Sequence, residues 1–197
     1  MNIKRLEVGF FENNCYVLTG ERSRESVVID PAAEAERILR ETRGTEVRYI
    51  LITHGHMDHI GALEEFRRET GAAVGIHMRD AGALARKPDF FLEDGQTISS
   101  GDVTLKVLHT PGHSPGWVCF LTGKILFSGD TIFPNGPGNT ALPGADEQVI
   151  LSSIHSKIFV LPDDTIIYPG HGLETTVGRE KATSFYPVPR SMKREQA

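Results

Sequence analysis

Residues 54–59 read His-Gly-His-Met-Asp-His and directly follow the apolar run Tyr49-Ile50-Leu51-Ile52-Thr53. Three imidazoles and a carboxylate this close together cannot share an ordinary core, because each buried polar group needs a partner. The β-rich stretch 47–53 predicts a buried strand with His54 and His56 at its C-terminal edge. In an extended chain, residues two apart face the same side, so both rings can face one ion. Gly55 between them adds no side chain to obstruct that ion. Residues 60–70 predict a helix with Leu63, Phe66 and Arg67 on one flank. Asp58 and His59 fall at the turn into it. Asp58 alone suits a helix N-cap; beside three histidines the ligand reading is favoured.

The rest of the chain alternates strands with helices. Strands are expected at 3–8, 16–19 and 26–30, a helix at 32–41, a short strand at 73–76, and a short helix at 78–85. Residues 86–95 read as a loop bearing exposed Phe90 and Phe91. The β pattern then restarts at 96–100, 103–108, 116–121 and 125–128, and a last strand is expected at 165–168. Residues 129–145 are rich in Gly and Pro and read as an ordered functional loop. A helix is expected at 146–159, with Val149, Ile150, Ile154 and Ile158 at core spacing. No linker divides the 197 residues, which suits one domain spanning 1–197. Two β-then-helix halves of similar size predict an α/β fold in αββα layers, two mixed sheets with helices on the outer faces.

Three further segments place a metal-capable residue after a strand, among Gly or Pro. They are His109-Thr110-Pro111-Gly112-His113, Ser128-Gly129-Asp130-Thr131 and Pro169-Gly170-His171-Gly172. Loops held by a rigid sheet are where open sites are built. The candidate ligands are then His54, His56, Asp58, His59, His113, Asp130 and His171. A tetrahedral ion takes four ligands, or three and a water. This set suits two ions sharing a carboxylate. The natural partition is His54, His56 and His113 on one ion, and Asp58, His59 and His171 on the other. Asp130 bridges, since a carboxylate offers two oxygens and an imidazole one free nitrogen. Mixed N/O ligation without thiolate suits zinc, iron or manganese and does not choose among them; the expected cofactor is two divalent cations, zinc first, with iron or manganese as alternatives.

The order His-x-His-x-Asp-His, His, Asp, His resembles the metallo-β-lactamase-fold hydrolase superfamily over nearly the whole chain. The phrases His109–Gly116, Ser128-Gly129-Asp130-Thr131-Ile132-Phe133 and Pro169-Gly170-His171-Gly172 are most similar to its glyoxalase II-like, or hydroxyacylglutathione hydrolase, branch. That resemblance implies an αβ/βα sandwich with a dinuclear site at one sheet edge. It implies hydrolysis of a small acyl thioester such as S-lactoylglutathione by metal-activated hydroxide, with Asp58 orienting the nucleophile and taking its proton. A mononuclear iron persulfide dioxygenase and a lactone hydrolase are the alternatives on the same residues. The chain departs from the branch in two places. Gly138-Asn139-Thr140 stands where relatives often carry Gly-Arg-Thr, so an arginine contact is missing. Only 26 residues follow His171, too few for the C-terminal helical domain of larger members.

Net charge of −5 disfavours a nucleic-acid partner, and the basic cluster Arg190, Lys193 and Arg194 reads as a solvated tail. The start Met1-Asn2-Ile3-Lys4-Arg5 lacks a signal peptide, and no apolar run approaches the ~20 residues of a membrane span. The expectation is a cytoplasmic enzyme, monomer or homodimer, with no membrane partner. Cys15 and Cys119 read as buried free thiols. His77 reads as the start of the short helix, His109 as structurally buried and His155 as solvated. Asp30 reads as a turn residue or as the partner that fixes a ligand histidine's tautomer. Phe90, Phe91, Phe133 and Tyr186 read as core first and substrate wall second.

Overall fold

The computed structural model describes residues 1–141, 145–189 and 192. The first sheet is built from β1 (Asn2–Val8), β2 (Asn13–Thr19), β3 (Glu25–Ile29), β4 (Glu46–Leu51), β5 (Ala73–His77) and β6 (Phe90–Leu92), side by side in that order. Its first two pairings are antiparallel and its last three parallel. The second sheet contains β7 (Thr97–Ser100), β8 (Val103–His109), β9 (Val118–Thr122) and β10 (Ile125–Gly129). A small hairpin of β11 (Ile132–Phe133) and β12 (Gly136–Pro137) follows, then β13 (Ile166–Pro169) and β14 (Thr175–Thr176), which complete that sheet in the order β14-β13-β10-β9-β8-β7. Only β10 and β13 pair in parallel there. Helices α1 (Ala35–Glu41), α2 (Met57–Ile60) and α3 (Leu63–Thr70) belong to the first half, α4 (Glu147–Ser153) and α5 (Val177–Lys181) to the second.

Strand periodicity sorts the core into three layers. On β2, Tyr16 and Leu18 face the second sheet and meet Val107, Phe120 and Phe127. Their neighbours Cys15 and Val17 point the other way, onto Ile38 of α1 and Leu63 and Phe66 of α3. Behind the second sheet, Ile150, Leu151 and Val177 pack on Leu108, Cys119 and Ile167. The expected αββα sandwich is therefore present, and β2 is buried on both faces.

Several element boundaries differ from the sequence reading. The expected helix 60–70 is two pieces, because Ala62 leaves the helical conformation and donates its N–H to the Pro31 carbonyl (3.0 Å). Helical turns already begin at Met57, so His56 takes the N-cap position and Asp58 lies inside α2; it is not a cap. The helix expected at 32–41 starts only at Ala35, because Glu34 adopts a left-handed conformation. The helix expected at 78–85 is a single 3-10 turn, Ala81–Ala83. Residues 86–95 are not all loop: Phe90–Leu92 adds an edge strand, and the Phe90 ring covers Gly75 and meets Tyr49 edge-on. The helix at 146–159 passes into a π-helical turn over Ile154–Ile158; Val149 is exposed and Leu151 takes its inner place. His77 ends β5 and stacks on the partly exposed His109, ring centroids 4.2 Å apart. His155 is not solvated: its Nε2 lies 3.0 Å from the Tyr186 carbonyl. Cys15 and Cys119 are buried and free. The basic tail at 190–197 lies outside the described residues, apart from Met192.

Candidate metal centre

Five strands deliver their C-terminal ends to one edge of the sandwich. β3 ends at Asp30, β4 leads to His54, β8 to His113, β10 to Asp130 and β13 to His171. The two sheets are tied together there by backbone bonds, Val118 N to the Thr53 carbonyl (3.0 Å) and Asn14 N to the Gly170 carbonyl (2.7 Å). Helix α2 then turns Asp58 and His59 back over the same edge.

All seven candidate residues meet there. One donor atom from each of His54, His56 and His113 lies within 4.8 Å of the others, and the same holds for Asp58, His59 and His171. A third such group, His54, His59 and Asp130, takes one histidine from each of those triads. His113 Nε2 is 3.0 Å from His56 Nδ1. Asp130 directs Oδ1 at His59 Nε2 (3.4 Å) and Oδ2 at His171 Nε2 (3.6 Å). His54 Nε2, His59 Nε2 and Asp130 Oδ1 are buried without a hydrogen-bond partner. Leaving such an atom unsatisfied costs about 1–3 kcal/mol. Three of them converging on one space is what a bound cation resolves, so the residues fit a metal centre.

The lone pairs are aimed by partners on the far side of each ring. His59 Nδ1 lies 3.0 Å from Asp30 Oδ2. Thr53 Oγ1 donates to the same oxygen at 2.6 Å and lies 3.0 Å from His54 Nδ1. With its own proton committed to Asp30, Thr53 is left to accept from His54 Nδ1–H. One carboxylate thus turns the Nε2 lone pairs of both His54 and His59 inward. His171 Nδ1 donates to the Phe11 carbonyl (2.8 Å) with the same result. Asp30 thus faces a candidate ligand histidine, as its tautomer-fixing reading requires, and it also sits at a turn, with φ +50°.

Electrostatics divides the site. Burial, reinforced by neighbouring imidazoles, holds His54 well below the ordinary histidine value and lowers His113 to about 4. Burial opposes the charged form of His59 too, but Asp130 and Asp30 prevail and push it up to about 10. His171 is raised against its burial by Asp58 and Asp130. A hydrogen bond with His171, helped by Asn13, holds Asp58 well below the usual carboxylate range. Without metal, His54 and His113 are held toward their neutral forms, while His59 and His171 are biased toward holding protons where a cation would bind.

Four supporting residues escaped the sequence reading. Thr53 is one. Asp80 is another: buried, it accepts from Gly55 N (3.2 Å), Gly116 N (2.8 Å) and the Ser114 hydroxyl, joining the His56 loop to the His113 loop. Trp117, the chain's single tryptophan, stacks on His54 at 3.9 Å. Asn13 donates to Asp58 Oδ2 at 3.1 Å. Trp117 and Asn13 carried a faint signal, a lone Trp just after His113 and a polar Asn pair entering an apolar strand. Of the expected aromatic wall, Phe133 faces His171 (6.3 Å) and Tyr186 is buried beneath, whereas Phe90 and Phe91 lie on the far edge strand β6.

Histidine and carboxylate clusters at one sheet edge of an αββα sandwich define a metal-dependent hydrolase. The chain belongs to the metallo-β-lactamase superfamily, whose sequence profile matches residues 8–171. It is 32% identical to the hydroxyacylglutathione hydrolase GloC of Haemophilus influenzae, covering 93% of this chain and 97% of that one. This fits the glyoxalase II-like branch. The solved structure of the BLEG-1 B3 metallo-β-lactamase superposes with a TM-score of 0.87 at 34% identity, over 92% of this chain and 97% of that one. TTHA1623, solved in a di-iron-bound form, gives 0.79 at 35% identity, over 91% and 98%. Among the described residues no helix is long and apolar enough to cross a membrane.

Proposed function

We propose that this protein is a dinuclear-metal thioester hydrolase of the hydroxyacylglutathione hydrolase type. The carrying observation is the pair of triads joined by Asp130, with His54 Nε2, His59 Nε2 and Asp130 Oδ1 buried together and without a hydrogen-bond partner. His54, His56 and His113 would hold one divalent cation and Asp58, His59 and His171 the other, with Asp130 reaching both. Two cations there would lower the pKa of a shared water toward neutrality and polarise the thioester carbonyl.

The chain's own residues supply the rest. Asp58 is ionised throughout the physiological range, so its carboxylate can orient the attacking water and take its proton. Asn13 fixes the Asp58 carboxylate by donating to Oδ2. Trp117 and Thr53 lock the His54 ring in plane and tautomer. No side chain need protonate the leaving group, since a thiol of pKa about 8.5 departs as thiolate. The likeness to GloC supports a thioester substrate, and the di-iron form of TTHA1623 supports two ions.

The test is turnover of S-lactoylglutathione and simpler thioesters by metal-loaded protein, beside a β-lactam and glutathione persulfide with an oxygen electrode. Thioester cleavage without oxygen uptake is expected. Intact thioesters with oxygen consumed would move the assignment to a persulfide dioxygenase, and cleavage of the β-lactam alone to a lactamase.

A further inference from the structure

Beside His56 and His113 lies a cavity of about 290 Å³ whose lining also includes Arg79, Gly82 and Ser114. Arg79 is exposed, and its guanidinium makes no hydrogen bond or ion pair among the described residues; only its backbone N–H is engaged, by His77 Nδ1. The neighbouring acid, Asp80, does not cancel it. Both Asp80 oxygens are turned inward and used by Gly55, Gly116 and Ser114. Arg79 therefore adds one uncompensated positive charge to the lining of a cavity that also includes His56 and His113, two proposed ligands of the first ion. Its floor is stiff, because Gly55 packs against Ala83 and Gly116 against Asp80 with no room for a Cβ. At Gly82 there is open space, since a Cβ there would meet nothing within 4 Å.

We infer that this cavity is a specificity subsite in which Arg79 binds a carboxylate on one arm of the substrate. The inference rests on the thioester hydrolase reading and deepens it: the preferred substrate is a thioester with an anionic end, on the acyl or the thiol side. A planar guanidinium takes a carboxylate through two parallel hydrogen bonds, giving orientation as well as charge.

Two substrate pairs separate the arms. Succinyl and pentanoyl thioesters of N-acetylcysteamine vary the acyl end; acetyl thioesters of mercaptopropionate and propanethiol vary the thiol end. The readout is the ratio of kcat/KM for the carboxylate-bearing over the neutral member. Arg79→Glu is expected to lower that ratio roughly tenfold or more in one pair, through KM. Gly82→Leu, which fills the cavity and keeps the charge, should lower the same ratio. If both variants leave both ratios unchanged, the subsite is wrong. If wild-type protein cleaves none of the four, calorimetric titration with glutarate decides the subsite, and the hydrolase reading fails only if S-lactoylglutathione is left intact as well. Binding weakened roughly tenfold by Arg79→Glu supports it, and equal or absent binding overturns it.

Discussion

The Asp58 carboxylate lies between Asn13 Nδ2 at 3.1 Å and His171 Nε2 at 3.4 Å, with His59 Nε2 at 3.7 Å. It serves at once as proposed ligand and proposed base. Asp58→Ala is expected to lower kcat on a thioester by at least about 100-fold. Elemental analysis of the same variant should show loss of the second cation, while its circular dichroism matches wild type. A variant that keeps full turnover would remove Asp58 from the mechanism. Asp30 acts at one remove. In Asp30→Asn, an amide N–H replaces the acceptor that faces His59 Nδ1 and Thr53 Oγ1. His59 then turns its Nε2–H toward the site, and metal affinity should fall by about 10–100-fold in competition with a chelating dye. The seven proposed ligands were legible in the sequence because four lie within six positions and three follow strands in one Gly/Pro format. Asp80 was not, since Gly55, Ser114 and Gly116 lie 25 to 36 positions away along the chain.

At the scale of elements, the site depends on backbone closeness at strand ends. Gly170 follows β13, and a Cβ there would lie 2.1 Å from Asp130 Oδ1 and 2.7 Å from His59 Cε1. Gly170→Ala must displace both. It is expected to reduce bound metal and to cost about 1–3 kcal/mol in denaturant unfolding of the chelated protein. Unchanged metal content would contradict the geometry. Ten of the fourteen strands were legible from apolar β-rich runs and lie close to where periodicity puts them, whereas the two- and three-residue strands β6, β11, β12 and β14 are too short to leave a pattern. Helix ends were not, because tertiary contacts decide them. The break after Gly61 comes at Ala62, whose N–H donates to the Pro31 carbonyl at 3.0 Å. The exposed Val149 shows that apolar spacing alone does not say which side of a helix meets the sheet.

For the molecule as a whole, the αββα layering follows from two β-then-helix halves, and what no local pattern shows is how five strand ends converge on one edge. That convergence links folding to protons and metal. His59 is raised from 6.5 to about 10 in the metal-free fold. A raised folded-state pKa stabilises fully below the unfolded value and is lost as pH climbs through the folded one. Chelated protein should therefore lose stability between pH 6.5 and about 10, while apparent affinity for the second cation rises across that window. Thermal melts of chelated protein that stay level or improve from neutral to alkaline pH would contradict this. The central claim is two cations cooperating in thioester hydrolysis, and the most direct measurement is metal stoichiometry against activity on one sample. Protein stripped by chelator and titrated with zinc should gain S-lactoylglutathione hydrolysis that reaches its plateau at two equivalents per chain. A plateau at one equivalent, or activity restored only by iron with oxygen consumed, would contradict the account.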